Sequence, residues 1–293
     1  MKTLITCHDS TNIELLLAHT DGIIVGNKHV GTRLTQSFDA HEINVMAREV
    51  KALQKEIFIQ ANQMMMDADL MHFSSWLDEL EFKCIDGIIV ADLGALVLLK
   101  EKGLHRKAIY NPETLITNSY DFNFLEHFEL FGVYAAKEIT IADLKKMGEE
   151  KRVHMFMVGH GHLNMFYSKR KLVKNYLDFL HEDITLQDRQ DLLIIEEHRK
   201  EDPYPILEDE AGTHVFRSQV IHALNQLDQL SSFIDYMVID TLFKDDRYGA
   251  LVAEMYQRRD NVLKEKIEKE FHEVWDEGFF FKKTIYKGKG GEQ

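Results

Sequence analysis

The chain has 293 residues, 45% of them hydrophobic, and carries 35 Lys and Arg against 49 Asp and Glu, a net charge of −14. That length and apolar content are enough for one large domain with its own core, while the acidic balance repels phosphate at long range and argues against free-standing nucleic-acid binding. Two cysteines, Cys7 and Cys84, give no disulfide framework, and no run approaches the ~20 apolar residues of a membrane span, so the composition predicts a soluble cytoplasmic protein with no membrane partner.

Short β-branched runs alternate with helical patterns along the chain. Leu4-Ile5-Thr6 precedes a helix from about Asn12 to His19. Gly22 to Gly26 precedes one from about His41 to Gln54, and Ile57 to Gln60 one near Phe73 to Phe82. Gly87 to Ala91 is followed by Asp92, a suitable N-cap. Lys107 to Tyr110 and Gly132 to Ala135 come next, with Thr140 and Asp143 capping the following helix, and then His154 to Val158. Seven such units imply buried parallel strands and βαβ crossovers. Asp235 to Asp240 supplies an eighth strand after a long gap. The gap, about 162–232, reads as an insertion with a helix near Arg170 to Leu180 and antiparallel strands at Leu192–Ile195, Pro205–Leu207 and Thr213–Phe216, the last two joined by a turn containing Gly212. Leu251 to Trp275 reads as one amphipathic helix in a C-terminal tail of about 251–293, with disorder expected only from Lys287 to Gln293. The fold class is therefore α/β, a single TIM-like (β/α) barrel domain.

A barrel works at the carboxyl ends of its strands, and those ends are polar here. Asn111 and Glu113 follow the fifth strand, Lys137 and Glu138 the sixth, and His160 and His162 the seventh. Glu113 and Glu138 on adjacent units could share one ligand, and paired carboxylates do acid–base work when burial splits their pKa values; each also reads as a turn or cap group. His160 and His162 lie two apart on a strand, so their side chains should point the same way. No HExxH-type pair accompanies them, so loop histidines ordering the site are favoured over metal ligands. Lys169 and Arg170 stand in the one dense basic stretch, where Ser168 could cap a helix and the run could bind an anion. Arg33, after the second strand, is another anion candidate at the same rim.

Several segments resemble the small members of the peptidase U32 family. They are Asn111-Pro112-Glu113-Thr114 with Asn118, Ala136-Lys137-Glu138-Ile139-Thr140, Val158-Gly159-His160-Gly161 onward to Tyr176, Glu208-Asp209 with Gly212-Thr213-His214, and Gly278 to Phe281 with Thr284-Ile285-Tyr286. The likeness spans nearly the whole chain in the expected order. It implies a barrel fold, an old peptidase label, and a role in oxygen-independent hydroxylation such as that of the tRNA wobble uridine with prephenate, of rRNA cytidine, or of the ubiquinone ring.

By this resemblance Glu113, Glu138 and His160 are the catalytic candidates, and Arg33, Asn111, Lys137, His162, Lys169, Arg170 and His214 the ligand-binding ones. Many family members carry an iron–sulfur cluster on four cysteines. Here Asn164 stands where a Cys is common and no four-Cys set exists, so no cluster is expected on this chain. The expectation is an auxiliary subunit in tRNA wobble-uridine hydroxylation, with a prephenate-like metabolite, a larger U32 paralogue as partner, and tRNA reached through a complex. The alternatives are a peptidase, or an interaction protein with a degenerate site and an acidic Glu196–Glu210 docking segment.

Overall fold

A computed structural model describes residues 1–186, 189–197 and 199–281; the readings at Thr284–Tyr286 and Lys287–Gln293 lie outside them. The strands are β1 (Lys2–Thr6), β2 (Gly22–Gly26), β3 (Glu56–Ala61), β4 (Gly87–Val90), β5 (Ala108–Tyr110), β6 (Gly132–Tyr134), β7 (His154–Ser168), β8 (Leu193–Glu196), β9 (Arg199–Asp209), β10 (Gly212–His222), β11 (Tyr236–Ile239) and β12 (Trp275–Asp276). The helices are α1 (Ile13–Leu17), α2 (Ala40–Ala52), α3 (Asp67–Leu77), α4 (Leu93–Glu101), α5 (Ser119–Phe124), α6 (Ile141–Glu150), α7 (Leu172–Leu180), α8 (Leu227–Leu230), α9 (Asp246–Arg258) and α10 (Asn261–Glu270). Strands β1 to β7 pair in sequence, all parallel, and β11 lies between β7 and β1, so eight parallel strands close into a barrel. No helix among the described residues is long and apolar enough to cross a membrane.

Alternation along each strand sorts the side chains into two cores. Outward residues such as Ile5, Ile23, Ile57, Ile88 and Ile239 pack against the helices. Inward residues Leu4, Ile24, Phe58, Ile89, Ile109, Tyr134, Phe156, Tyr236 and Val238 fill the barrel. Phe156 and Tyr236 stack with centroids 4.4 Å apart, so the interior is plugged by aromatic rings. Two residues further along the same inward rows stand Thr6, Gln60, Asn111, Val158 and Asp240, and these line the open carboxyl end.

The expected caps form: Asp92 accepts from the Gly94 and Ala95 N–H groups, and Thr140 from Asp143. Three expectations need correction. The third helix runs Asp67–Leu77 rather than Phe73–Phe82, because Asp67 and Asp69 make a favourable acidic first turn. The tail is not one helix to Trp275: Arg259 turns left-handed at φ 56°, Asp260 caps a new helix, and Trp275 pairs in β12. The seventh strand does not stop at Val158 but runs on to Ser168 and pairs antiparallel with β10, which with β9 and β8 forms a sheet rising from the rim. At its tip Gly212 has φ +142°, and a Cβ there would lie 2.0 Å from the Ser168 carbonyl oxygen, so only glycine fits.

Asp246 ties α9 to the first barrel loop. Its buried carboxylate accepts from the His8 N–H (2.9 Å), the Asp9 N–H (2.8 Å) and Asn12 Nδ2 (3.1 Å). Asp246→Ala would strand these donors, and urea unfolding should read a loss of about 2–4 kcal/mol. A loss below about 1 kcal/mol would show that water replaces the carboxylate freely.

Candidate functional site

The mouth is built on an ion cluster. Arg33 Nη2 lies 2.5 Å from Glu113 Oε1, and Lys137 Nζ bonds the other oxygen, Oε2. The side chains of Arg33 and Lys137 are 7% and 9% exposed. Arg33 and Glu113 both hold left-handed backbone, at φ 55° and 66°. Neither is glycine, and such geometry in ordinary residues marks sites the surroundings over-determine. Asn111 Oδ1 steadies the turn by accepting from the Glu113 N–H at 3.2 Å. Burial alone would raise the Glu113 carboxyl, but the Arg33 and Lys137 charges hold it at about 2. Burial likewise draws the Lys137 ammonium below its ordinary range, against the pull of Glu113.

The hairpin of β9 and β10 fixes Arg33 from behind. Asp209 Oδ2 accepts from the Thr32 hydroxyl (2.6 Å) and the Arg33 N–H (2.9 Å). Fully buried His214 places Nε2 2.7 Å from the Thr32 hydroxyl oxygen and 3.5 Å from Asp209, and Nδ1 3.4 Å from Arg33 Nη1. A guanidinium only donates, so Nδ1 accepts and the proton sits on Nε2. Burial, which lowers the His214 pKa, favours this neutral form. Asp209 is held below its ordinary range: its burial is outweighed by bonds from His214, Thr32 and the Arg33 N–H. Tyr167 stacks on His214 at 4.3 Å and lies under the Arg33 guanidinium.

Between the cluster and the barrel interior lies a cavity of about 50 Å³, lined among others by Gln60, Asn111, Tyr134, His162 and Asp240. Asp240 directly follows β11, and its partial burial pushes its carboxyl above the usual range. The mouth therefore holds two carboxyls driven apart, Glu113 down and Asp240 up, an arrangement able to separate an anion from a proton-carrying group.

The sequence expectation joined Arg33, Asn111, Glu113, Lys137 and His162 at one mouth, and they meet there. Other expectations are corrected. His160 is not at the mouth. A bulge at Gly159, where Val238 pairs with Val158 but Ile239 with His160, turns it into the outer core; there it is fully buried, 2.8 Å from the Tyr248 hydroxyl and against the Trp275 ring. Glu138 sits half-buried in the turn after β6 and does not line the cavity; Asp240, one of the polar strand ends, is the second carboxyl there. His214 supports Arg33 rather than lining the cavity.

The basic stretch lies away from the mouth. Lys169 pairs with Asp69 at 2.8 Å and Arg170 is exposed, both outside the cavity. Ser168 does not cap α7. The N–H groups of the helix's second and third residues, Val173 and Lys174, bond Glu208 at 2.8 and 3.1 Å, so the chain supplies its own anion.

A four-thiolate iron–sulfur cluster does not fit these residues. The chain has two cysteines, Cys7 buried at the end of β1 and Cys84 half-buried ahead of β4. Burial, with Asp246 nearby, also pushes the Cys7 thiol up, away from a reactive thiolate.

An eight-stranded (β/α) barrel with oppositely tuned carboxyls at its open mouth belongs to the class that binds ligands at that end. More particularly, the model of peptidase family U32 matches residues 11–285, and the chain belongs to that family. Among its relatives, tRNA hydroxylation protein P2 of Bacillus subtilis (strain 168) is 24% identical over 293 residues, covering 94% of this chain and 95% of that one. tRNA hydroxylation protein P of Escherichia coli (strain K12) is 21% identical over 321 residues, covering 90% of this chain and 70% of that one. The solved structure of the U32 peptidase Mk0906 superposes with TM-score 0.52 at 11% identity, covering 82% of this chain and 92% of that one, a likeness of fold alone.

Proposed function

We propose that this chain acts in tRNA hydroxylation, at the wobble uridine, as a subunit that binds a prephenate-like carboxylate metabolite and works beside a larger U32 paralogue that contacts the tRNA. The observation carrying this reading is the end-to-end likeness to tRNA hydroxylation protein P2, and the Arg33–Lys137 pair supplies two buried cations suited to a carboxylate. A cavity of about 50 Å³ is too small for a ring-sized metabolite, for which pockets of roughly 300 Å³ or more are usual. The ligand carboxylate must therefore displace Glu113 from Arg33 and Lys137, and Asp240 would then face the bound molecule as a proton donor. A net charge of −14 suits a division of labour in which the partner meets the RNA.

The test is deletion of the gene and mass spectrometry of 5-hydroxyuridine-type nucleosides in total tRNA. Loss of the nucleoside, restored by the wild-type gene and not by an Arg33→Ala/Lys137→Ala copy, is the expected result. Unchanged nucleoside levels in the deletion strain would remove the proposal.

A further inference from the structure

Helix α7 has no buried residue. Val173 and Leu177 are half-buried against the protein, whereas Leu172, Tyr176, Phe179 and Leu180 are exposed, Tyr176 at 61% and Phe179 at 78%. Their spacing of i, i+4, i+7 and i+8 puts all four on one stripe. An amphipathic helix ordinarily turns such a stripe inward; here it faces solvent. Strand β8, in the same insertion, is the last strand of its sheet, and consecutive Leu193, Ile194 and Ile195 are exposed on it. Natural sheet edges are usually guarded by charge, proline or a covering element. A bare Leu-Ile-Ile edge and an outward apolar stripe are two independent features that a partner would bury.

The charge around them identifies the kind of partner. The described side chains of residues 172–202 include eight Asp and Glu and three Lys and Arg, so 3 − 8 gives −5 within an already acidic chain. A second copy would bring like charges together, and anionic lipid would be repelled. We propose that α7 forms a docking surface for a protein partner presenting an apolar segment flanked by lysine or arginine. Apolar contact with Tyr176, Phe179 and Leu180 would supply affinity, and the acidic rim would select a basic partner and speed encounter. Glu208 anchors the start of α7 through the Val173 and Lys174 N–H groups, and Thr213 donates to the same carboxylate at 2.6 Å, so the helix is presented in a fixed pose. This inference does not depend on the chemistry at the mouth.

Fluorescence anisotropy on the full chain tests it, using a labelled amphipathic helical peptide of leucine and lysine and its counterpart with glutamate in place of lysine. The lysine peptide should bind and the glutamate peptide should not, and affinity should fall as NaCl is raised. Tyr176→Ser/Phe179→Ser, which leaves the charge unchanged, should weaken binding at least about tenfold. Asp178→Asn/Glu182→Gln should weaken it by about two- to threefold and flatten the salt dependence. Both variants alter exposed positions, and unchanged circular dichroism and melting verify their fold. Equal affinity of the serine variant overturns the proposal. So does binding of the glutamate peptide, or self-association in light scattering, or adhesion to phosphatidylglycerol vesicles, that the serine variant abolishes.

Discussion

Glu113→Ala is expected to lower the unfolding free energy at neutral pH by about 3–5 kcal/mol, because it leaves two buried cations without their shared counter-ion. Arg33 and Lys137 have side chains less than a tenth exposed, and both close on this one carboxylate. Their mutual repulsion is offset chiefly through it. The same interaction has a pH signature. Glu113 titrates at about 2 in the folded protein against an ordinary 4.5. A depressed folded pKa gives stability that is complete above the unfolded value and fades as pH falls from about 4.5 toward 2, by an amount of order 3 kcal/mol. Urea midpoints between pH 6 and pH 3 should therefore drop more steeply for the wild type than for Glu113→Ala. Parallel curves would mean that the cluster is solvated and contributes little.

The barrel was legible because its signal is periodic. Runs such as Gly22–Gly26 and Gly87–Ala91 are apolar without alternation, as strands buried on both faces must be, and the polar residue closing each run marks the mouth. The alternation that makes Leu4, Ile24, Phe58 and Ile109 interior residues also brings Thr6, Gln60 and Asn111 to the cavity. Arg33, Asn111, Glu113 and Lys137 could be gathered from such ends. His160 could not. Its exclusion depends on one extra residue in β7, and a single-residue bulge exchanges inside for outside without altering composition. The hairpin contacts were equally hidden, since Thr32 and Asp209 are 177 residues apart and meet only when the insertion folds back over the second strand. Basic density misled in the opposite direction. Lys169 and Lys174 are neighbours in sequence but are drawn to Asp69 and Asp178 respectively, so the run disperses.

The mouth reads as a site held in waiting. On the function proposed above, Glu113 occupies the place of a ligand carboxylate, and the left-handed backbone at Arg33 and Glu113 is a local strain that release of the pair could relieve. Such strain is of order 1–3 kcal/mol per residue, comparable with the differential binding that shifts a closed population toward an open one. Binding energy from the rest of a metabolite would then be drawn on to separate Glu113 from its cations.

Asp240→Asn should have the opposite thermodynamic sign to Glu113→Ala and a large effect on turnover. Asp240 is half-buried directly after β11, and that burial raises its carboxyl pKa despite the Leu242 N–H and the Arg33 and Lys137 charges. A raised folded pKa means that the folded state holds the proton more tightly. The resulting stability is full below the unfolded carboxylate range and is lost as pH climbs through the folded pKa. The amide has the same shape and nothing to ionise, so the variant should equal the wild type in acid and become the more stable protein toward neutral pH. Activity should move the other way. Among the carboxyls lining the cavity Asp240 alone is tuned toward holding a proton, and removal of a general acid or base typically costs 10²–10⁴-fold in rate. Complementation of the deletion strain with Asp240→Asn should thus leave hydroxylated tRNA at about 1% of its wild-type rate of accumulation or less, although the protein is at least as stable. A variant that is stabilised yet fully active would reduce Asp240 to a filler of the mouth, whereas one that is destabilised would show that the carboxylate is ionised there and paired with Arg33 and Lys137.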